Sequence, residues 1–220
     1  MTPSDAQITE RLVDAGRRFY ARGWVLGTSG NFSAVVSADP LELLITVSGA
    51  HKGRLTSSDF VRVDQAGQAR GAAGRPSAES ALHVEIVRLT GARAVLHTHS
   101  VWATLLSEAH VADRGLAISG YEMLKGLAGN VTHTHREWIP VIDNDQDMTR
   151  LAARLREALI AGPVVHGVLL GGHGLYTWGG SLDDAERHVE ILEFLLEVTG
   201  RRTHHGHRDD SSRAQDSRRS

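Results

Sequence analysis

Ile8, Leu12, Ala15 and Phe19 recur at the spacing of one face of an α-helix, and Ser4 stands where an N-cap belongs. The pattern predicts an amphipathic helix over residues 5–22 that stops near Gly23. Apolar runs at 32–36 and 41–47 then predict two strands of a hairpin, followed by a helical turn over 55–60 capped by Thr56 and a short strand at 61–63. Past the glycine-rich loop 67–75, Arg75-Pro76-Ser77 opens a predicted helix carrying Glu79, His83, Ile86 and Val87. The run 93–97 reads as a buried central strand. Helical spacing returns at 101–108, briefly at 121–127, and at 148–161, where Gly162-Pro163 ends it. Strands at 138–142, 167–170 and 174–178 and a last helix at 182–198 complete the pattern. Strands alternating with helices predict an α/β sandwich rather than a bundle. From Gly200 onward the chain is polar apart from Ala214, so residues 200–220 are expected to be a disordered tail behind a single domain, 1–199.

Composition narrows the function more than the fold. The chain has 220 residues, 41% of them hydrophobic and 23% charged, as in an ordinary globular domain. A formal net charge of −2 supplies neither a basic field for nucleic acid nor a polybasic membrane anchor. Residues 1–10 carry no apolar signal core, and no apolar stretch reaches the roughly 20 residues that span a bilayer. A cytoplasmic protein with a small neutral-to-anionic ligand is expected. Cysteine is absent, so any transition metal must sit on His, Asp or Glu.

Candidate chemistry centres on Ala94-Val95-Leu96-His97-Thr98-His99-Ser100. Two histidines two positions apart at a strand end turn both imidazoles to one face, which suits a metal in need of a third ligand; the alternative is a pair that hydrogen-bonds neighbouring backbone. His173, between Gly172 and Gly174, is a candidate third ligand because flanking glycines permit close backbone approach, or else a solvated turn residue. A competing pair, His133 and His135, reads as loop, and His204, His205 and His207 in the tail as adventitious. Gly27–Asn31, Ser48-Gly49 and Pro76-Ser77 each place hydroxyls and backbone N–H groups where an anion would sit, with His51, Lys52 and Arg54 as candidates to add charge, Arg54 more readily as solvated surface. Glu79 and Glu122 are the acid-base candidates. Glu79 could serve only as a first-turn dipole partner; Glu122, between Tyr121 and Met123, is expected to have a raised pKa, or else to be an exposed helix residue. Neither G-x-G-x-x-G nor a Walker lysine is present.

Gly30-Asn31, Thr46-Val47-Ser48-Gly49, Pro76-Ser77-Ala78-Glu79, His97-Thr98-His99 and His173-Gly174-Leu175, in that order, resemble the class II zinc-dependent aldolase and adducin superfamily. Glu122-Met123-Leu124-Lys125-Gly126, Ile139-Pro140 with Asp143-Asn144-Asp145-Gln146-Asp147, and Gly172–Gly179 are similar to its dehydratase branch in methionine salvage. The resemblance implies a three-layer α/β/α fold with a central, largely antiparallel sheet, and a homotetramer with sites near subunit boundaries. It implies one zinc per subunit on His97, His99 and His173, Glu122 as acid/base, and phosphate near Asn31, Ser48, Gly49 and Ser77. Glu79 matches a carboxylate that works beside the metal in the aldolases, and Ala78 departs from their second serine. The implied reaction is dehydration of 5-methylthioribulose 1-phosphate to 2,3-diketo-5-methylthiopentyl 1-phosphate. Aldol cleavage or 4-epimerisation of a sugar phosphate, or a non-catalytic adducin-like scaffold, are the alternatives.

Overall fold

Helix α1 (Asp5–Ala21) begins where Ser4 caps it: its side chain accepts from the Gln7 amide while the Gln7 side chain returns to the Ser4 amide, and Ile8, Leu12, Ala15 and Phe19 form its buried face. A computed structural model describes residues 4–71 and 74–216, with side chains to residue 203. The remaining elements in chain order are β1 (Asn31–Ala38), β2 (Leu41–Thr46), β3 (Phe60–Asp64), α2 (Ser80–Thr90), β4 (Ala94–Thr98), α3 (Val101–His110), β5 (Gly115–Ser119), β6 (Arg136–Ile142), α4 (Met148–Ala161), β7 (Gly167–Leu170), β8 (Gly174–Gly179) and α5 (Leu182–Asp216). Single 3-10 turns lie at Lys52–Arg54, Ser57–Asp59 and Glu122–Gly126.

The strands form one eight-stranded sheet in the order β3-β2-β1-β4-β8-β7-β6-β5. Only β6 and β7 pair in parallel; the other neighbours are antiparallel. Period-two alternation sorts the apolar side chains into two cores. Val35, Val63, Val95, Val168 and Tyr176 pack under α2 and α4, whereas Phe32, Leu44, Leu96, Leu169 and Leu175 face α1, α3 and α5. The result is the expected three-layer α/β/α sandwich.

Two expectations change. The helix expected to open at Arg75-Pro76-Ser77 starts at Ser80, with Glu79 as N-cap, because Pro76 bridges to Val47 and Ser48 N–H bonds the Arg75 carbonyl. Strand β5 has no counterpart in the pattern reading: it is five residues long, follows a turn in which Arg114 takes φ 58°, and pairs only with β6. Helix α5 is described as far as Asp216; residues 217–220 and the side chains of His204, His205 and His207, in the tail expected to be disordered, lie outside the described residues.

Candidate metal centre and pocket

Strand β4 is central, and its register places His97 between Asn31 of β1 and Tyr176 of β8. His97 stacks on the Tyr176 ring, centroids 3.8 Å apart and planes 10° from parallel. Its Nδ1–H donates to the Leu175 carbonyl at 3.0 Å, which leaves Nε2 as a lone pair facing the strand end. The chain leaves β4 as the His99 amide bonds the Trp24 carbonyl, and His173 arrives from the tight β7–β8 turn. Glycine is required on both sides of this crossing. A Cβ on Gly30, where φ is +73°, would lie 2.5 Å from the His97 carbonyl oxygen, and one on Gly174 would lie 2.1 Å from that of Thr98.

The three imidazoles converge through one kind of atom. Nε2 of His99 lies 2.8 Å from that of His97 and 3.1 Å from that of His173, and His97 and His173 are 3.3 Å apart. Ligands on a tetrahedral ion at roughly 2.0–2.1 Å sit about 3.3 Å from one another, so the set fits one divalent metal with positions to spare. All three bases are held in the neutral, ligating form. Burial first, and then each other's charge, pushes His97 well below the usual histidine range; burial takes His99 down to about 4 and lowers His173. Among the described residues these are the histidines and acids so grouped.

Glu79 stands beside them, its carboxylate 3.6 Å from Nε2 of His97 and 3.5 Å from that of His173. It is fixed by a polar column across the sheet face. The Asn31 amide donates to Glu79 at 2.5 Å, Asn31 Oδ1 takes a hydrogen bond from His83 Nε2, and His83 Nδ1 accepts from Ser33 Oγ at 2.7 Å. Burial drives His83 down to about 3, so it is the neutral tautomer that this column needs. Its pattern position marks His83 only as a residue of α2; the partnership with Asn31 comes from strand pairing.

A cavity of about 350 Å³ opens from this centre, and Asn31, Ser48, Gly49, Ser77 and Glu79 all line it, as do His99 and His173. Lys52 closes the wall beside Thr28. Opposite, Asn144-Asp145-Gln146 and Met148 form the rim, pinned by Arg150, whose Nε and Nη2 reach the two Asp145 oxygens at 2.9 and 2.8 Å.

Glu122 is elsewhere. Its side chain is 73% exposed, does not line the cavity, and is ion-paired with Lys125, which holds its carboxyl below the ordinary range. The raised pKa expected from Tyr121 and Met123 is therefore absent, because an exposed 3-10 turn leaves the carboxylate hydrated. The competing pair divides: His133 is exposed 3.9 Å from Glu122, and His135 bonds buried Glu137 at 2.8 Å. One residue close to the centre carries no sequence signal at all. Glu193 of α5 is buried beneath the His97-Thr98-His99 run and accepts from Thr98 Oγ1 at 2.5 Å.

The family model for the class II aldolase and adducin N-terminal domain matches residues 10–199. Methylthioribulose-1-phosphate dehydratases of Azotobacter vinelandii strain DJ and Pseudomonas aeruginosa PAO1 are each 46% identical over 198 residues, covering 90% of this chain and 95% of theirs. Among solved structures, L-fuculose-1-phosphate aldolase from Thermus thermophilus superposes with a TM-score of 0.71 at 28% identity, covering 91% of this chain and 98% of that one. YgbL from Klebsiella pneumoniae does so at 0.75 and 26%, covering 90% of each.

Proposed function

Because the chain belongs to the class II aldolase and adducin family, we propose that it is a zinc-dependent hydro-lyase that dehydrates 5-methylthioribulose 1-phosphate in methionine salvage, working as a cytoplasmic homotetramer. The observation that carries this reading is the 46% identity, over nearly the whole chain, to relatives of that name, joined to a complete three-histidine set. A scaffold without metal has no use for three convergent neutral imidazoles.

His97, His99 and His173 would hold the zinc. When bound, it polarises the oxygens on C2 and C3 of the substrate and so acidifies the C3 proton. Glu79, beside the three imidazoles and oriented by Asn31, is in this reading the base that takes the proton from C3. The C4–O bond then breaks, with a proton delivered to the departing hydroxyl so that it leaves as water. The enol that remains tautomerises to the 2,3-diketone. Asn31, Ser48, Gly49 and Ser77 receive the phosphate through hydroxyl, amide and backbone donors on the cavity wall.

Glu122 is the donor to the C4 oxygen, a positioned acid of a kind worth about 10²–10⁴-fold. Exposed and held ionised by Lys125 within one chain, it becomes an acid only where another subunit covers it, because burial disfavours the charged form. Exposed apolar Met123 and Val131 on the same segment support such a contact. In this reading each pocket is completed by the Glu122 segment of a neighbour.

Mass spectrometry of the products tests the reaction: the diketone is expected, whereas (methylthio)acetaldehyde with dihydroxyacetone phosphate would mean aldol cleavage. Mixing subunits tests the assembly. His97→Ala and Glu122→Gln proteins are each expected to be inactive, and co-refolded mixtures to regain activity. Confirmed mixed tetramers without recovery would return Glu122 to its own chain's site.

A further inference from the structure

The chain has 24 lysine plus arginine residues, of which only two, Lys52 and Lys125, are lysines. Lys125 lies on the surface, paired with Glu122. Lys52 is 1% exposed. Its Nζ donates to the Thr28 carbonyl at 2.9 Å and to the Ala50 carbonyl at 2.7 Å. Thr28 belongs to the loop that leads into Asn31, and Ala50 follows Ser48-Gly49. One ammonium therefore fastens together the two loops that form the cavity wall.

Both of those acceptors are neutral. Among the described residues no carboxylate makes an ion pair with Lys52; Glu79 and Asp59 only attract it from farther away, and burial outweighs them, bringing the ammonium down to about 8. An ammonium taken from water without a counter-ion is costly. Fastening two carbonyls does not call for a cation, since a neutral amide also donates twice. Among the described residues the third ammonium proton has no acceptor, and Lys52 is one of the residues that line the cavity, with Ser48, Gly49 and Ser77. Ala78, next in line, offers no hydroxyl. A compact point charge suits this position better than the wide guanidinium fork used elsewhere in the chain.

We propose that Lys52 is the counter-ion of the substrate's phosphate, a specificity-determining residue whose ammonium locks the two cradle loops and supplies the cavity's missing positive charge. This rests on reading the cavity as a sugar-phosphate pocket. It separates substrates by charge: a phosphorylated sugar neutralises the buried cation, and an unphosphorylated one leaves it unpaired.

Having only two lysines makes the test direct. In the wild-type chain with [13C]lysine, titration with inorganic phosphate is expected to move one of two Cε signals, and the Lys125→Arg protein, with a single lysine, identifies it as Lys52. Calorimetric titration with inorganic phosphate is expected to show binding weakened roughly ten- to hundredfold in Lys52→Met, the range for a lost charge-assisted hydrogen bond, with Lys52→Arg recovering part of it. A wild-type chain that binds no phosphate, a Lys52 signal that stays still while phosphate binds, or undiminished affinity in a folded Lys52→Met protein each overturns the proposal. None of these measurements uses turnover. A chain that binds phosphate through Lys52 but does not form the diketone would refute the dehydratase reading alone.

Discussion

Replacing Glu193 by Gln isolates the energetic cost of a carboxyl under the metal centre. Glu193 is buried against Thr98, and burial pushes its carboxyl from the ordinary 4.5 up to about 7, against hydrogen bonds from Ser100 and Thr98 that favour the ion. At 1.36 kcal/mol per pH unit, that gap makes the ionised form about 3 kcal/mol worse in the folded chain than in the unfolded one. The sign follows from proton binding. The folded state holds this proton more tightly, so its contribution is complete below about pH 4.5 and is lost as pH rises to about 7. The amide of the variant has nothing to titrate. The difference in unfolding free energy between wild type and Glu193→Gln should therefore shift by about 3 kcal/mol in the variant's favour on going from acid to about pH 8, while every other titrating group cancels. Urea unfolding of both proteins across that range, with chelator present so that metal linkage does not enter, reads it directly. A difference that is flat with pH, or that moves in favour of wild type, would refute the reasoning.

The metal assignment predicts that His97→Ala, His99→Ala or His173→Ala strips zinc, measured by plasma mass spectrometry, while His133→Ala and His135→Ala keep it; full zinc in His99→Ala would remove the assignment. Gly174→Ala forces a Cβ against the Thr98 carbonyl and should cost about 1–3 kcal/mol by overpacking together with much of the zinc affinity, so a variant with unchanged melting temperature and zinc content would contradict the crossing geometry. His166 faces two acceptors, Glu137 Oε1 and the Ala128 carbonyl, each at 2.9 Å, which only the imidazolium satisfies. Burial opposes that charge, but Glu137 prevails and raises the pKa. Its stabilisation should be present below about pH 6.5 and fade as pH rises through the higher folded value, read as a downfield-protonated His166 in NMR at neutral pH; a neutral ring there would refute the pairing.

What was legible in the sequence is what local spacing encodes. The two-residue step from His97 to His99 places both rings on one face whatever the rest of the chain does, and the glycines around His173 mark a backbone that must pass close to another. Helix α4 runs over 148–161 as its pattern predicts, because Asp147 caps one end and Gly162-Pro163 blocks the other. What the pattern could not supply are partnerships made by strand pairing. His83 becomes the orienter of Asn31 only because α2 lies over β1, and Glu193 meets Thr98 across 95 positions. Glu122 fails in the opposite sense: apolar neighbours in sequence do not bury a residue on an exposed turn, so its carboxylate is hydrated and paired with Lys125.

The two carboxylates differ in how they are held, and the difference suits the roles proposed for them. Glu79 is oriented by Asn31, which is oriented by His83, which is set by Ser33, so its position is fixed before any substrate arrives. A base that must meet one particular C–H benefits from such fixing, since pre-organised geometry lowers the barrier without reorganisation during the reaction. Glu122 rests on a lysine at the surface, and an acid kept ionised cannot donate. Its competence therefore has to be conferred by covering it and displacing Lys125, a step that the proposed subunit contact provides and that a monomer lacks. Dilution should then abolish dehydration as tetramers dissociate, while phosphate binding at Lys52, made entirely within one chain, persists; turnover per chain that is independent of concentration down to a monomeric population would show that Glu122 is not supplied by a neighbour.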